Sequence, residues 1–306
     1  MATFYTLEQI KTRVFGIGSK ASKINWLKAE CGMSDSQANE IWRNLWSRDD
    51  APERPSRPRE ARALRFTIGV EIEAINIDRD RIRRSIEADG IPTRDDYYSY
   101  NHNDSRDTYK FMSDSSLNGH NPCEIVSPIL RTTTTLKTVC KHINAAGGTA
   151  NSSCGLHVHV GAERMSPAAI RRIVINYGRI EAAIDSFMPA SRRGNCRWAA
   201  SMATPATRLL TMSNPTMSDI QYACNHDRYY KVNVMAYNRH KTIEFRQHSG
   251  TTNYAKIENW IKFVTALCDY SIRHEELLPA ITNINDLPFL TATQKAYYSA
   301  RRDAVR

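Results

Sequence analysis

Three short segments of this chain alternate in the same way. In Phe66-Thr67-Ile68-Gly69-Val70-Glu71-Ile72-Glu73, the apolar set Phe66, Ile68, Val70 and Ile72 leaves Glu71 and Glu73 on the opposite side. In Leu156-His157-Val158-His159-Val160 both imidazoles oppose the apolar residues, and in Lys241–His248 Glu244 and Arg246 oppose Ile243 and Phe245. Successive side chains of a strand point to opposite faces of a sheet. The pattern therefore predicts strands with one face on a core and the other carrying ExE, HxH and ExR. Glu124 lies in a fourth apolar strand, Glu124–Leu130, ten residues after Asp114.

A solvated sheet face usually mixes Thr, Ser, Lys and Glu. Here carboxylates, imidazoles and a guanidinium are concentrated on one surface, with almost no Lys or Thr between them. Carboxylates that close repel one another unless a cation sits among them. Oxygen ligands with few His suit Mg²⁺ or Mn²⁺, and Mg²⁺ is normally shared with substrate phosphates. Arg246, two residues from Glu244, offers a fork that fits a phosphate. Taken singly, each motif also has a plain reading: a solvated face, a pair of structural or zinc-binding His, an intra-sheet ion pair worth little.

The rest of the chain frames these strands. The first 48 residues read as a helical module, with Leu7, Ile10, Val14, Ile24 and Leu27 at helical spacing. Gly32–Trp42 has the cadence of the second half of a helix-turn-helix, but Lys28, Asp35 and Glu40 argue for a plain helical hairpin. Residues 49–65 hold Pro52, Pro55 and Pro58 among charges and read as a linker. The main domain runs over 66–290. It begins with the strand Phe66–Ile77, then a short helix Arg79–Asp89 and a polar stretch Thr93–Arg106. Helices follow at Thr132–Ala146, stopped by Gly147-Gly148, at Ser166–Met188, capped by Ser166 with Pro167 in the first turn, and at Tyr254–His274. Tyr230–Tyr237 and Lys241–His248 read as a hairpin joined by Asn238-Arg239-His240, and 291–306 as a last, exposed helix. This mixture implies an α+β fold with a largely antiparallel sheet.

With 41% hydrophobic residues in 306, the chain has ample core and is not disordered. No stretch approaches the ~18 apolar residues of a membrane span, and the start lacks a signal peptide's basic and apolar regions, so a cytoplasmic protein without membrane contact is expected. Seven scattered Cys with no CxxC pair read as reduced thiols, Cys154 among them as a buried small residue. The net charge of +10 admits an anionic partner, nucleic acid included, without naming one.

The motifs Gly69–Glu73, Asp114-Ser115-Ser116-Leu117, Glu124-Ile125-Val126-Ser127-Pro128, Cys154–Val160 and Thr242–Thr251, in this order over about residues 66–275, resemble the amidoligase family. That family belongs to the carboxylate–amine ligases, with glutamine synthetase and the glutamate–cysteine ligases. The resemblance implies a curved antiparallel sheet with helices on one side, whose concave face binds ATP and divalent metal. It implies ATP-dependent joining of a small-molecule or peptide carboxylate to an amine through an acyl phosphate. By motif position Glu71, Glu73, Asp114, Glu124, His157 and Glu244 match metal ligands, and Arg246 a γ-phosphate contact. His157 and His159 match positions near metal and phosphate. Arg192 and Arg193 resemble a basic loop that holds phosphate or a substrate carboxylate, with a solvated loop as the plain alternative. Arg228 and Asn233 are also similar to family positions. Catalysis would rest on Arg246, Glu73 and Glu244. No Ser–His–Asp spacing or Gly-rich phosphate loop competes. Two other readings stay open: a metal-dependent phosphoesterase or nuclease built on the same carboxylates, and a DNA-binding protein with a ligase-like domain.

Overall fold

The computed structural model describes residues 20–31, 33–46, 64–97 and 107–305. The spacing of Leu7, Ile10 and Val14, nearly all of the 49–65 linker and most of the polar stretch before Arg106 lie outside them. The chain divides into two units, Met1–Glu60 and Ala61–Arg306.

The first unit holds α1 (Lys20–Cys31) and α2 (Asp35–Trp46). Ser34 and Gln37 cap α2 reciprocally: Ser34 Oγ accepts the Gln37 N–H at 3.3 Å, and Gln37 Oε1 accepts the Ser34 N–H at 3.0 Å. Lys28 Nζ pairs with Asp35 at 2.7 Å. Leu27 and Ala38 are buried between the helices.

In the second unit, seven strands among the described residues form one mixed sheet. They are β1 (Ile68–Ala74), β2 (Thr93–Asp95), β3 (Tyr109–Met112), β4 (Cys123–Val126), β5 (Leu156–Gly161), β6 (Val232–Asn233) and β7 (Thr242–Phe245), in the spatial order β2-β3-β4-β1-β5-β7-β6. Only β2 and β3 pair in parallel. Val70, Ile72, Leu156, Val158, Val160, Ile243 and Phe245 form one face. They join a single hydrophobic cluster with residues of α4 (Thr134–Ala145), α5 (Pro167–Asp185) and α9 (Tyr254–Arg273); α3 (Arg79–Ala88) adds Ile82 and Ile86. Each fully buried aliphatic side chain of this kind contributes about 1.5–3 kcal/mol, so the apolar face fixes which way the charged residues must point. The cap of α5 is Ser166, which accepts the Ala169 N–H at 3.2 Å, with Pro167 at the first position.

Two expectations are corrected. The stretch Tyr230–Tyr237 is not one strand of a hairpin. Pairing ends at Asn233, whose side-chain oxygen accepts the Met235 N–H at 2.8 Å and turns the backbone. The helix α8 (Ala236–His240) then connects to β7, with Lys241 in the left-handed region at φ 54°. Two further helices, α6 (Ala203–Leu210) and α7 (Met217–Ala223), precede β6. The last helix, α10 (Ala292–Ala304), is docked rather than exposed. Tyr298 is buried, 4.4 Å from the Phe187 ring, and its hydroxyl donates to the Asn259 carbonyl at 2.8 Å.

Candidate functional site

Register decides which charged side chains meet. Glu71 lies opposite His157 across β1 and β5, Glu73 opposite Glu124 across β1 and β4, His159 opposite Glu244 across β5 and β7, and Asn233 opposite Glu244 across β6 and β7. The ExE, HxH and ExR motifs therefore converge on the sheet face away from the helices.

His157 is at the centre and is 4% exposed. Its Nδ1 lies 2.9 Å from Glu71 Oε2 and 3.5 Å from Glu244 Oε1; its Nε2 lies 3.4 Å from Glu73 Oε1. His159 Nε2 is 3.2 Å from Glu71 Oε1, while its Nδ1 is 2.9 Å from Thr242 Oγ1. Glu244 is held from two sides, by Asn233 Nδ2 at 2.5 Å and by a close Arg246 Nη1. Glu73 accepts the Gly155 N–H. A Cβ at Gly155 would come within 2.9 Å of His157 Nε2 and 3.3 Å of Arg192 Nη2, so only glycine lets the backbone approach this cluster.

The electrostatics are unbalanced toward negative charge. Burial raises the Glu71 carboxyl, but the charges and hydrogen bonds of His159 and His157 outweigh it and hold it well below the usual carboxylate range. Burial likewise opposes ionisation of Glu244, and Arg246 and His159 reverse it. Glu124 gets no such help. Burial and then the charges of Glu71, Glu73, Asp114 and Glu244 push it well above its ordinary value. A carboxylate in that position needs a cation beside it.

Two sets of side chains can converge on one: Glu71, His157 and Glu244, and Glu73, Glu124 and His157, the ligand atoms of each lying within 4.8 Å of one another. Oxygen-rich donors with a single imidazole fit a hard divalent cation such as Mg²⁺ or Mn²⁺. Asp114 belongs to neither set. Its Oδ1 accepts the Ser116 N–H at 2.7 Å, which tethers it to its own turn. It stands instead on the wall of a cavity of about 130 Å³. Glu73, His157 and Arg246 border this cavity together with Asp114, Ser115, Ser116, Ser153, Arg192, Trp198, Arg228 and Tyr229.

The two arginines of the basic loop part company. Arg192 ends the 3₁₀ turn Ala190–Arg192 and Arg193 follows it in an extended conformation. Arg192 is buried at the cavity, donating to the Cys154 carbonyl at 2.6 Å. Arg193 donates to the Met188 and Val305 carbonyls at 2.7 and 3.2 Å and does not border the cavity. Cys154 is buried, its Sγ donates to Asn151 Oδ1 at 3.5 Å, and burial raises its thiol.

Behind the loop lies a network that sequence reading missed. The fully buried Lys231 bridges Glu181 and Asp185 of α5 at 2.7 and 2.8 Å. Gln247 donates to Asp185 and, at 3.0 Å, to the Arg192 carbonyl, and it accepts from Tyr177 Oη at 2.5 Å. The available signal was two acids, i+4 and i+8 from Tyr177, set into an otherwise apolar helix face. Trp198, Ser153 and Tyr229 had no such signal.

No curated protein matches the chain significantly. A family model described as "Putative amidoligase enzyme" matches residues 64–268, two thirds of the chain and all the strands just described. On that match, this chain belongs to the amidoligase family.

Proposed function

We propose that this chain is an ATP-dependent carboxylate–amine ligase that forms an amide bond through an acyl phosphate. The observation that carries the reading is the pair of carboxylate–imidazole sets sharing His157, with the Arg246 and Arg192 guanidinium groups at the same cavity. We read the sheet as the glutamine-synthetase and glutamate–cysteine-ligase type.

A carboxylate is a poor acyl donor at neutral pH. In the first step a substrate carboxylate oxygen attacks the γ-phosphorus of ATP and ADP leaves. In the second the amine nitrogen attacks the acyl carbon and phosphate leaves with the bonding pair. Phosphoryl transfer of this kind depends on positioning and charge compensation more than on a covalent nucleophile. Glu71, His157 and Glu244, and Glu73 with Glu124, would hold divalent metal, which when bound offsets the negative charge of the phosphates. Arg246 is pinned by Glu244, and its guanidinium meets the γ-phosphate as charge builds. His159 sets the Glu71 carboxylate in place. The substrates on this reading are small-molecule or peptide carboxylates and amines.

The test is ADP release from Mg·ATP against a panel of carboxylates and amines. Glu73→Gln and Glu244→Gln each abolish it while circular dichroism and the melting transition remain those of a folded protein. Turnover at the wild-type rate in either variant removes these residues from the site. DNA cleavage without ATP use would replace the ligase reading with a nuclease.

A further inference from the structure

Two helices end beside the loop that carries Arg192. α5 closes with the Phe187 N–H on the Ile184 carbonyl at 3.2 Å and the Met188 N–H on the Asp185 carbonyl at 3.1 Å. The Phe187 and Met188 carbonyls fall beyond the helix and need donors from elsewhere. Val305, the cap residue of α10, presents its carbonyl in the same way. Two arginines serve these ends. Arg301 Nε donates to the Phe187 carbonyl at 3.0 Å. Arg193 spans both helices: its Nε donates to the Met188 carbonyl at 2.7 Å and its Nη2 to the Val305 carbonyl at 3.2 Å. Nε and Nη2 form one edge of the planar guanidinium, so a single fork bridges the two helix ends. The helix dipoles also favour positive charge there.

The residue next to this fork is Arg192. Its N–H donates to the Pro189 carbonyl at 2.9 Å and its own carbonyl accepts from Gln247 at 3.0 Å. Its guanidinium reaches the Cys154 carbonyl at the border of the cavity, where Glu73, a member of one candidate metal set, acts on it as a counter-charge. Arg193 has two N–H groups on carbonyls and does not border the cavity. α10 lies beyond residues 64–268, so the hold on the loop comes from outside the part of the chain that matches the family.

We propose that Arg193 is a positioning residue: it ties the ends of α5 and α10 together and thereby sets where the Arg192 guanidinium stands at the cavity. This differs from the phosphate or carboxylate contact that its motif position implies. The tie itself is independent of the ligase reading, and its effect on turnover rests on that reading. Misplacing a substrate-positioning group by about 1 Å can cost about 10²-fold in rate, so a lost tie is felt at Arg192.

The experiment compares the full-length protein with Arg193→Gln and Arg193→Lys, each checked for folding by melting, in hydrogen–deuterium exchange and in steady-state kinetics. In Arg193→Gln the amides of 190–194 exchange at least about five-fold faster, and those of β5 and β7 are unchanged. KM for the substrate that Arg192→Gln affects rises about ten-fold, while kcat and KM for ATP stay within about three-fold. Arg193→Lys recovers little of either, because an ammonium keeps the charge and not the fork that bridges two carbonyls. With Arg192→Gln already present, Arg193→Gln adds less than about two-fold to KM, because it acts through that residue. Unchanged exchange, full recovery by lysine, or additive losses in the double variant overturn the proposal, the last by making Arg193 a ligand in its own right. If Arg193→Gln does not fold, Arg193→Lys carries the same comparison against the wild type. The two readings fail separately. Faster loop exchange in a protein that never consumes ATP removes the ligase and leaves the tie, whereas ADP release with exchange and KM unchanged in the variants removes the tie and leaves the ligase.

Discussion

Replacing Lys231 by Met tests the network that carries Arg192. Met keeps most of the volume of the lysine stem and deletes the ammonium. Two carboxylates, Glu181 at 10% and Asp185 at 21% side-chain exposure, are then left in the interior without their cation. Breaking a buried ion pair from one side costs about 3–5 kcal/mol. Both acids keep other donors. Glu181 Oε2 accepts from Ser201 Oγ at 3.1 Å and the Met202 N–H at 2.7 Å, and Asp185 accepts from Gln247 and from the Gly194 N–H at 2.8 Å. Those charge-assisted bonds place the loss at the lower end, about 3 kcal/mol at pH 8. Urea unfolding of both proteins at pH 8 measures the gap. Asp185 also accepts the Gly194 N–H and, through Gln247, steadies the Arg192 carbonyl, so KM for a substrate held by Arg192 should rise in the variant. A gap under about 1 kcal/mol at pH 8 would refute the reasoning.

Four other outcomes are expected. Arg246→Gln should lower kcat by roughly 10²–10³-fold, as loss of one preorganised transition-state contact does, while Arg192→Gln mainly raises KM for the carboxylate or amine substrate; the reverse pattern in steady-state kinetics would exchange their roles. Burial holds the thiols of Cys123, Cys140 and Cys224 up at about 12, so of Cys123, Cys140, Cys154, Cys196, Cys224 and Cys268 only the half-buried Cys196 should react rapidly with a thiol-specific disulfide reagent in the native protein, as mapped by mass spectrometry. Burial, and then the positive charge of Arg301, hold the His248 imidazole well below its usual range. The unfolded chain is thus the first to protonate, and the His248 contribution, complete above about pH 6.5, is lost below it by up to about 1.4 kcal/mol per unit; His248→Gln should flatten that limb in urea midpoints taken from pH 7.5 to 5. Deleting residues 1–60 follows the boundary between the two units and should leave a folded protein that still releases ADP; loss of the melting transition would make the first unit part of the fold.

What could be read from sequence was what a strand fixes by itself. β5 spans Leu156–Gly161 as its alternation predicts, and β1 and β7 carry their carboxylates on the face opposite Val70 and Phe245 because one apolar face admits only one register. Alternation failed where a side chain intervenes in the backbone. Val232 and Val234 are buried as a strand would bury them, yet Asn233 captures the Met235 N–H and the chain leaves the sheet. β2 and β3 were invisible for a different reason. Three- and four-residue strands in a polar stretch take their state from the partner they pair with, Pro92 accepting from Tyr109 and Phe111 accepting from Asp96.

The same division runs through the site and bears on its use. The floor residues, Glu71, Glu73, His157, Glu244 and Arg246, sit on or just beyond strands whose pairing fixes their spacing. The wall residues Trp198, Arg228 and Tyr229 are on loops. They meet only because the Ala200 N–H donates to the Tyr229 carbonyl at 2.7 Å and the Lys231 N–H returns to the Ala200 carbonyl at 2.9 Å, a closure that no local pattern announces. A loop wall on a rigid sheet can change its side chains without moving the floor. Substitutions at Arg228 or Trp198 should therefore change which substrate is accepted and leave phosphoryl transfer running. Substitutions at Glu73 or Glu244 remove the transfer for every substrate alike. On the proposed ligase reading the floor sets the kind of reaction, and the wall what it acts on.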